Sequence, residues 1–572
     1  MLMPKSIFSK NHTSFILVFS IIFFYSCTVY SQIPQIKEGM VVSADSIATE
    51  VGVQILREGG NAIDAAVATG FALAVTYPVA GNIGGGGFMV IRLQNGEEIT
   101  LDYREKAPSG ASRDMYLDKE GNFIDSLAQE GILSGGVPGS VSGMLAALEK
   151  YGTMSRERVV APALKLAREG FKLPKPTAAS FKKYNRAFNK FSSTSAIFTK
   201  NGVPFEPGEL FVQQDLANTL DLIIKEGNKG FYAGTVADKI VAHMKKESGL
   251  ITTDDLLNYQ TVFRTPVTGT YRGYKVISMP PPSSGGVALI QLLNILENID
   301  LKSLEHSSPE YVHYLVEAMR RVYADRSEYL GDPDFYKVPV KELISKDYAK
   351  KLYSQIKAVA TPSEEVKPGL ETPKESMETT HYSVLDRWGN AVSVTTTINS
   401  GYGSKLVIEG TGFFLNNEMD DFSAKPGVPN QFGLLGSEAN SIKPGKRMLS
   451  SMTPTILLKD NTPFLIVGSP GGSTIITSVL QVILNVVDFG YDIRQAVDQP
   501  RFHHQWYPDV VSIEEDLFTS DFREVFLKKG YTVKFIPQLG LIEAISVDNK
   551  TGKVSGASDR RGSGLARGEG EK

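Results

Sequence analysis

The stretch from Glu378 to Asn399, ETTHYSVLDRWGNAVSVTTTIN, constrains this chain more than any other. Before it, from about Ile356 to Met377, lies a run rich in Pro, Glu, Lys and Ser with no apolar period. Such a composition buries too little apolar surface to order itself. From Thr380 the pattern changes to that of strands: Tyr382–Leu385 and Ala391–Ile398 are rich in β-branched and aromatic residues, with turn chemistry at Gly389-Asn390 between them. A disordered approach that ends at a strand-leading Thr suggests a specific use. Cleavage before Thr379 would make that residue a new amino terminus.

An amino-terminal Thr carries nucleophile and base in one residue. Its α-amine titrates near ~7.7 to 8.0, so at neutral pH an unprotonated fraction can take the proton of the hydroxyl, and no separate His is needed. The Thr379-Thr380 pair by itself reads equally as the start of a strand, which is the commoner use of such pairs.

Further segments of the chain extend the reading. Thr379–Val384 (TTHYSV), Leu415–Phe422 (LNNEMDDF), Arg447–Thr455 (RMLSSMTPT) and Gly468–Ser473 (GSPGGS) resemble the γ-glutamyltranspeptidase (γ-glutamyl hydrolase) family of N-terminal nucleophile enzymes in order and spacing. The resemblance runs from about Lys37 to Gly568. It implies an α+β fold, the αββα sandwich of two stacked antiparallel sheets flanked by helices, formed jointly by a large and a small subunit. It also implies self-cleavage between Glu378 and Thr379, giving a large subunit 32–378, with a flexible linker at about 356–378, and a small catalytic subunit 379–572 that stay together as a heterodimer.

The implied substrate is glutathione or another γ-glutamyl compound, and the implied chemistry is transfer of the glutamyl group, by way of an ester on Thr379, to water or to amino acids and peptides. No cofactor and no metal enter this reading. Residue by residue, the resemblance assigns Thr397 to orienting Thr379, Arg104 with Ser450 and Ser451 to the α-carboxylate, and Asn399, Glu418 and Asp421 to the α-amine. Arg suits the first task because its planar fork matches a carboxylate. For the oxyanion, Gly471 and Gly472 can turn bare N–H groups to one point, with the positive end of an apolar helix Thr474–Val487 behind them. A lid over Pro429–Asn440 carries Phe432 where many bacterial members have Tyr, so the hydroxyl's hydrogen bond is lost. A glutaryl acylase of the same fold is the rival enzyme; a binding protein that never cleaves itself is the alternative of another class.

Composition narrows the setting. The chain of 572 residues is 42% hydrophobic and 22% charged, ordinary for a globular protein, and its net charge of -3 argues against a nucleic-acid partner. Lys5 and Lys10 precede an apolar run Phe15–Tyr25 that is too short for a convincing span, so residues 1–31 read as an export signal to the periplasm or cell surface. Cys27, the single cysteine, follows that run. Two readings stay open: a lipid anchor at Cys27, or cleavage after Ser31 that removes it. Neither leaves a disulfide.

Along the rest of the chain, helices are expected at Ile47–Arg57, Ala62–Val75, Val141–Tyr151, Val159–Gly170, Gln213–Glu226, Thr235–Lys246 and Val287–Asn298, with a long one after the Ser308-Pro309 cap. Ala62–Val75 is apolar on nearly all sides, which predicts burial. The run Gly81–Gly87 lacks the Lys and Ser/Thr of a phosphate loop. It reads as close backbone approach leading into a strand, Phe88–Leu93. The expected roles of His313, His503 and His504 are structural, and the Asn416–Asp421 segment lacks calcium-loop spacing.

Overall fold

A computed structural model describes residues 36–368, 379–423, 438–517 and 520–571. The export signal with Cys27, the cleavage residue Glu378 and the lid residue Phe432 lie outside the described residues.

In chain order the strands of two large sheets are β1 (Met40–Ser43), β2 (Gly86–Arg92), β3 (Glu98–Asp102), β4 (Val262–Arg264), β5 (Val267–Tyr271), β6 (Tyr274–Ser278), β7 (Thr380–Leu385), β8 (Ala391–Thr397), β9 (Thr455–Lys459), β10 (Thr462–Gly468), β11 (Glu543–Val547), β12 (Val554–Ser558) and β13 (Leu565–Gly568). One sheet is seven-stranded, ordered β13-β1-β7-β8-β2-β3-β4; the other is six-stranded, ordered β12-β11-β10-β9-β6-β5. Every pairing within them is antiparallel. Both sheets contain strands from before and after residue 378: β1, β2, β3 and β4 with β7, β8 and β13 in one, and β5 and β6 with β9, β10, β11 and β12 in the other, so neither part of the chain completes a sheet alone.

Alternation along the strands produces the layers. Val41, Met89, Ile91, Val384 and Val392 face one core with the helices α1 (Ser46–Arg57), α2 (Ala62–Thr76) and α3 (Ser140–Tyr151). Their neighbours Met40, Val42, Phe88, Val90 and Leu385 point the other way into a second core, shared with Ile456 and Ile466 of the six-stranded sheet. On the far side of that sheet the same core takes in α4 (Gly285–Leu296), α5 (Pro309–Tyr329) and α6 (Thr474–Val487). The result is helix, sheet, sheet, helix. Polar side chains between the sheets are satisfied: Ser383 donates to the Glu543 carbonyl at 3.0 Å, and Ser393 accepts the Thr455 N–H at 3.0 Å.

Helix α2 is buried at every position, as its composition demands, and is started by a capping box between Asn61 and Asp64. The glycine run serves close approach. A Cβ on Gly85 would stand 2.0 Å from the Thr397 carbonyl oxygen, and one on Gly84 would stand 2.1 Å from that of Phe414. Only bare backbone lets the start of β2 lie against the segments that follow β8.

The stretch from Ile356, expected to be without order, is packed as far as Val366. Thr361 and Ser363 are buried. Thr361 donates to Glu317 of α5 at 2.7 Å, and the Ser363 N–H donates to Asp509 at 2.7 Å. Composition missed this because the anchoring partners, the buried Glu317 and the partly exposed Asp509, lie on distant elements and compensate for the apolar surface the segment lacks.

Candidate active site

Strand register positions the first functional group. β7 and β8 pair as far as Thr380 opposite Thr396, so the next residues, Thr379 and Thr397, come to the same end of the sheet. Thr379 is buried to 9% exposure. It lines a cavity of about 340 Å³ together with Asn399, Gly471, Tyr77, Gln538 and Gly540.

Beyond β8 the backbone turns sharply. Asn399 has a φ of +68°, a left-handed conformation Asn tolerates better than most residues, and its N–H donates to the Thr397 hydroxyl at 2.8 Å. Its side-chain amide donates to the Asn417 carbonyl at 2.9 Å. Its Oδ1, buried, accepts no hydrogen bond among the described residues. A buried acceptor in that state awaits a donor.

Arg104, which follows β3 by two residues, is fully buried and forms ion pairs with Glu418 and Asp421. Its Nε and Nη2 also donate to the carbonyls of Met448 at 3.2 Å and Leu449 at 3.1 Å, the two residues before Ser450. Glu105 stands 3.5 Å from the same guanidinium. One cation thus faces three buried carboxyl groups. Burial alone would lower the Arg104 pKa, and the carboxylates of Glu418, Asp421 and Glu105 more than reverse that. Burial pushes Glu418 well above the ordinary carboxylate range and Glu105 up to about 7, in each case against the pull of Arg104. Three carboxyl groups around one guanidinium cannot all ionise cheaply in a dry site, so burial opposes full ionisation of the cluster.

This arrangement differs from the expected division of labour. The resemblance assigns Arg104 to one end of the ligand and Glu418 and Asp421 to the other, whereas here they close on one another. The Thr397 hydroxyl also reaches Glu418, at 3.3 Å, linking the cluster to the Thr379 end of β8. Ser450 accepts the Met452 N–H at 3.2 Å, and Ser451 is held by Arg326 of α5. Arg326 also donates to Ser284 at 2.8 Å, and Ser284 donates to the Ser450 carbonyl at 2.7 Å.

Gly471 and Gly472 have φ of +121° and +66°, conformations that favour glycine. Neither backbone N–H donates to a protein group among the described residues. α6 begins at Thr474 directly behind them. Of the lid segment only residues 438–440 are among those described. There the Asn440 amide donates to the Asp421 carbonyl at 2.7 Å, and its oxygen accepts the Leu449 N–H at 3.0 Å, tying both halves of the charged cluster.

Glu105, Ser284 and Arg326 were not singled out by sequence. Glu105 adjoins Arg104 in the same segment, and Ser284 ends the Pro280–Ser284 run, so each had a local signal. Arg326 had none beyond its place on a long helix. His381, His503 and His504 are buried, and burial holds them neutral, at about 3, 3 and 4. Among the described residues, no group of three or more His, Cys, Asp or Glu side chains could hold a metal ion.

Residues 48–568 match the family model of gamma-glutamyltranspeptidase. The chain belongs to the γ-glutamyltranspeptidase family. The glutathione hydrolase proenzyme of Escherichia coli strain K12 is 50% identical to it over 527 residues, covering 92% of this chain and 90% of the relative. Among solved structures, the cephalosporin acylase from Bacillus halodurans superposes with a TM-score of 0.84 at 27% identity, covering 99% of both chains. The Helicobacter pylori gamma-glutamyltranspeptidase is 52% identical over 57% of this chain and 95% of its own, with a TM-score of 0.56. γ-Glutamyltranspeptidase relatives and an acylase thus share this N-terminal nucleophile hydrolase fold, and choosing between their chemistries falls to the pocket.

Proposed function

We infer that this chain is a proenzyme that cuts itself between Glu378 and Thr379 and then acts as a γ-glutamyl hydrolase and transferase on glutathione and related γ-glutamyl compounds. In the first reaction the Thr379 hydroxyl attacks the Glu378 carbonyl, the chain shifts from amide to ester, and water hydrolyses the ester. The products are a carboxylate at Glu378 and a free amine on Thr379. In the second, that amine takes the hydroxyl proton as the oxygen attacks the γ-carbonyl. The oxyanion is met by the Gly471 and Gly472 N–H groups, each donor of this kind being worth about 2.7–4 kcal/mol to the transition state. The amine leaves with the proton, and a glutamyl ester remains on Thr379. Water or an amino acid then takes the glutamyl group and regenerates the hydroxyl.

The observation that carries this reading over a glutaryl acylase is the buried Asn399 Oδ1 without a donor, on a residue joined through the Thr397 hydroxyl to the Glu418 carboxyl group. A glutamyl head brings an ammonium to meet them; a glutaryl head brings none. Arg104, with Ser450 and Ser451, takes the α-carboxylate once the ammonium has drawn Glu418 and Asp421 away. The amino-terminal export signal fits a periplasmic or cell-surface enzyme, and a lipid anchor at Cys27 remains one of two routes to it. No helix among the described residues is long and apolar enough to cross a membrane.

The test is product release. Purified, processed protein should free glutamate from glutathione, pass the glutamyl group to an added amino acid, and turn over the matching glutaryl amide far more slowly. Equal or faster turnover of the glutaryl amide would assign the chain to the acylases.

A further inference from the structure

Beside the cavity at Thr379 lies a larger one of about 590 Å³ that the chemistry above does not use. The two share Tyr77, Val79, Gln538 and Leu541 as common walls, so a molecule that reaches from the nucleophile past those residues enters the second chamber. Tyr77, Tyr184 and Tyr402 give it aromatic sides, and Glu543, the first residue of β11, is part of its lining. Glu543 is 2% exposed; among the described residues the Ser558 hydroxyl is its one neutral hydrogen-bonding neighbour, too poorly placed to satisfy Oε2. Among the described residues it forms no ion pair, unlike its acidic neighbour Asp559, which is paired with Arg501 and Arg561. Arg494 acts on Glu543 only at a distance, its own guanidinium being bonded to Asp498 and to the Ser558 carbonyl. Two cations also line the chamber: Lys183 on its exposed side, and Arg561, whose charge is taken up by Glu514 and Asp559.

A buried carboxyl with an idle oxygen is costly unless a ligand completes it. Aromatic faces around it favour a cation further. We propose that this chamber is the subsite for the non-glutamyl part of the substrate and for the acceptor, and that Glu543 selects groups whose aliphatic stem ends in an ammonium. Burial pushes the Glu543 carboxyl well above the ordinary carboxylate range when the chamber holds no cation; an arriving ammonium favours the ionised form, and the two neutralise each other out of water. The inference rests on the γ-glutamyl reading above, since it concerns the group attached to the scissile nitrogen.

Three substrates separate the possibilities: the γ-glutamyl amide of 1,4-diaminobutane, the same compound acetylated on its free amine, and γ-glutamylmethylamide, whose methyl group ends at the nucleophile cavity. Two variants approach the chamber from different sides. Glu543→Gln keeps the shape and removes the charge, and Ala179→Trp fills the chamber from an exposed helix position that lines it. Wild type should prefer the free amine to its acetylated form by about tenfold in kcat/KM. Glu543→Gln should erase that preference through KM, and Ala179→Trp should depress both long amides about tenfold. Both variants should turn over γ-glutamylmethylamide within twofold of wild type. An unchanged preference in Glu543→Gln, or an unchanged rate on the long amides in Ala179→Trp, overturns the subsite; should one variant fail to process, the other decides. Failure of processed wild type to turn over γ-glutamylmethylamide would instead sink the underlying γ-glutamyl reading.

Discussion

Arg104 and Asp421 form a buried ion pair across the bond before Thr379, one residue lying on each side of it. Each of these two charges thus has an opposite charge beside it. A ligand that carries both a carboxylate and an ammonium can replace the two halves of that pair together, whereas a ligand carrying one of them leaves a bare charge behind. Selectivity for zwitterionic heads follows from this exchange.

Replacing Arg104 tests the pair from its cationic side. Arg104→Ala leaves Glu105, Glu418 and Asp421 buried without their cation, and removing one partner of such a group costs about 3–5 kcal/mol of stability. Arg104→Lys keeps the charge and loses the fork. The lysine variant should fold, process and show a raised KM with a smaller change in kcat. Chemical denaturation and steady-state kinetics on both variants check this.

Asp421→Asn tests it from the other side. It keeps the shape and removes the charge meant for the substrate ammonium, and breaking a buried charge pair costs about 2–5 kcal/mol. Processed Asp421→Asn enzyme should lose most of its kcat/KM on γ-glutamyl amides and far less on glutaryl amides, which have no ammonium. Equal losses on the two would make Asp421 a structural residue.

Glu105 gives the cluster a pH dependence. Burial pushes its carboxyl up to about 7 in the folded protein, against about 4.3 in an unfolded chain. The native state therefore holds more protons across that interval, and stability falls as pH rises through it. Substrate binding moves the opposite way: as the cluster becomes more negative it attracts the ammonium more strongly, so KM should fall as pH rises toward 7. Glu105→Gln should flatten both profiles, measured by thermal unfolding and by KM on a γ-glutamyl amide.

Much of this was legible in sequence because local patterns carried it. The uniform apolarity of Ala62–Val75 foretold a helix buried on all sides, and Gly389-Asn390 between two β-branched runs foretold the β7-β8 hairpin. The family resemblance assigns Arg104, Glu418 and Asp421 to one site, and the structure brings them together; their pairing with one another was not legible, since Arg104 is assigned to one end of a ligand and the two acids to the other. Arg326 and Glu317 were invisible. Each sits on α5, whose apolar period signals only a packed helix, and each draws its meaning from a partner far away: Ser451 for the first, Thr361 for the second.

The central claim is that Thr379 cuts the chain and then does its chemistry, and amino-terminal sequencing with intact mass on wild type and Thr379→Ala tests it most directly. Wild type should yield two chains, the smaller beginning Thr379-Thr380-His381, and should release glutamate from glutathione. Thr379→Ala should remain one chain across that bond, folded and inactive. Cleavage of Thr379→Ala at the same bond would contradict the assignment of the nucleophile.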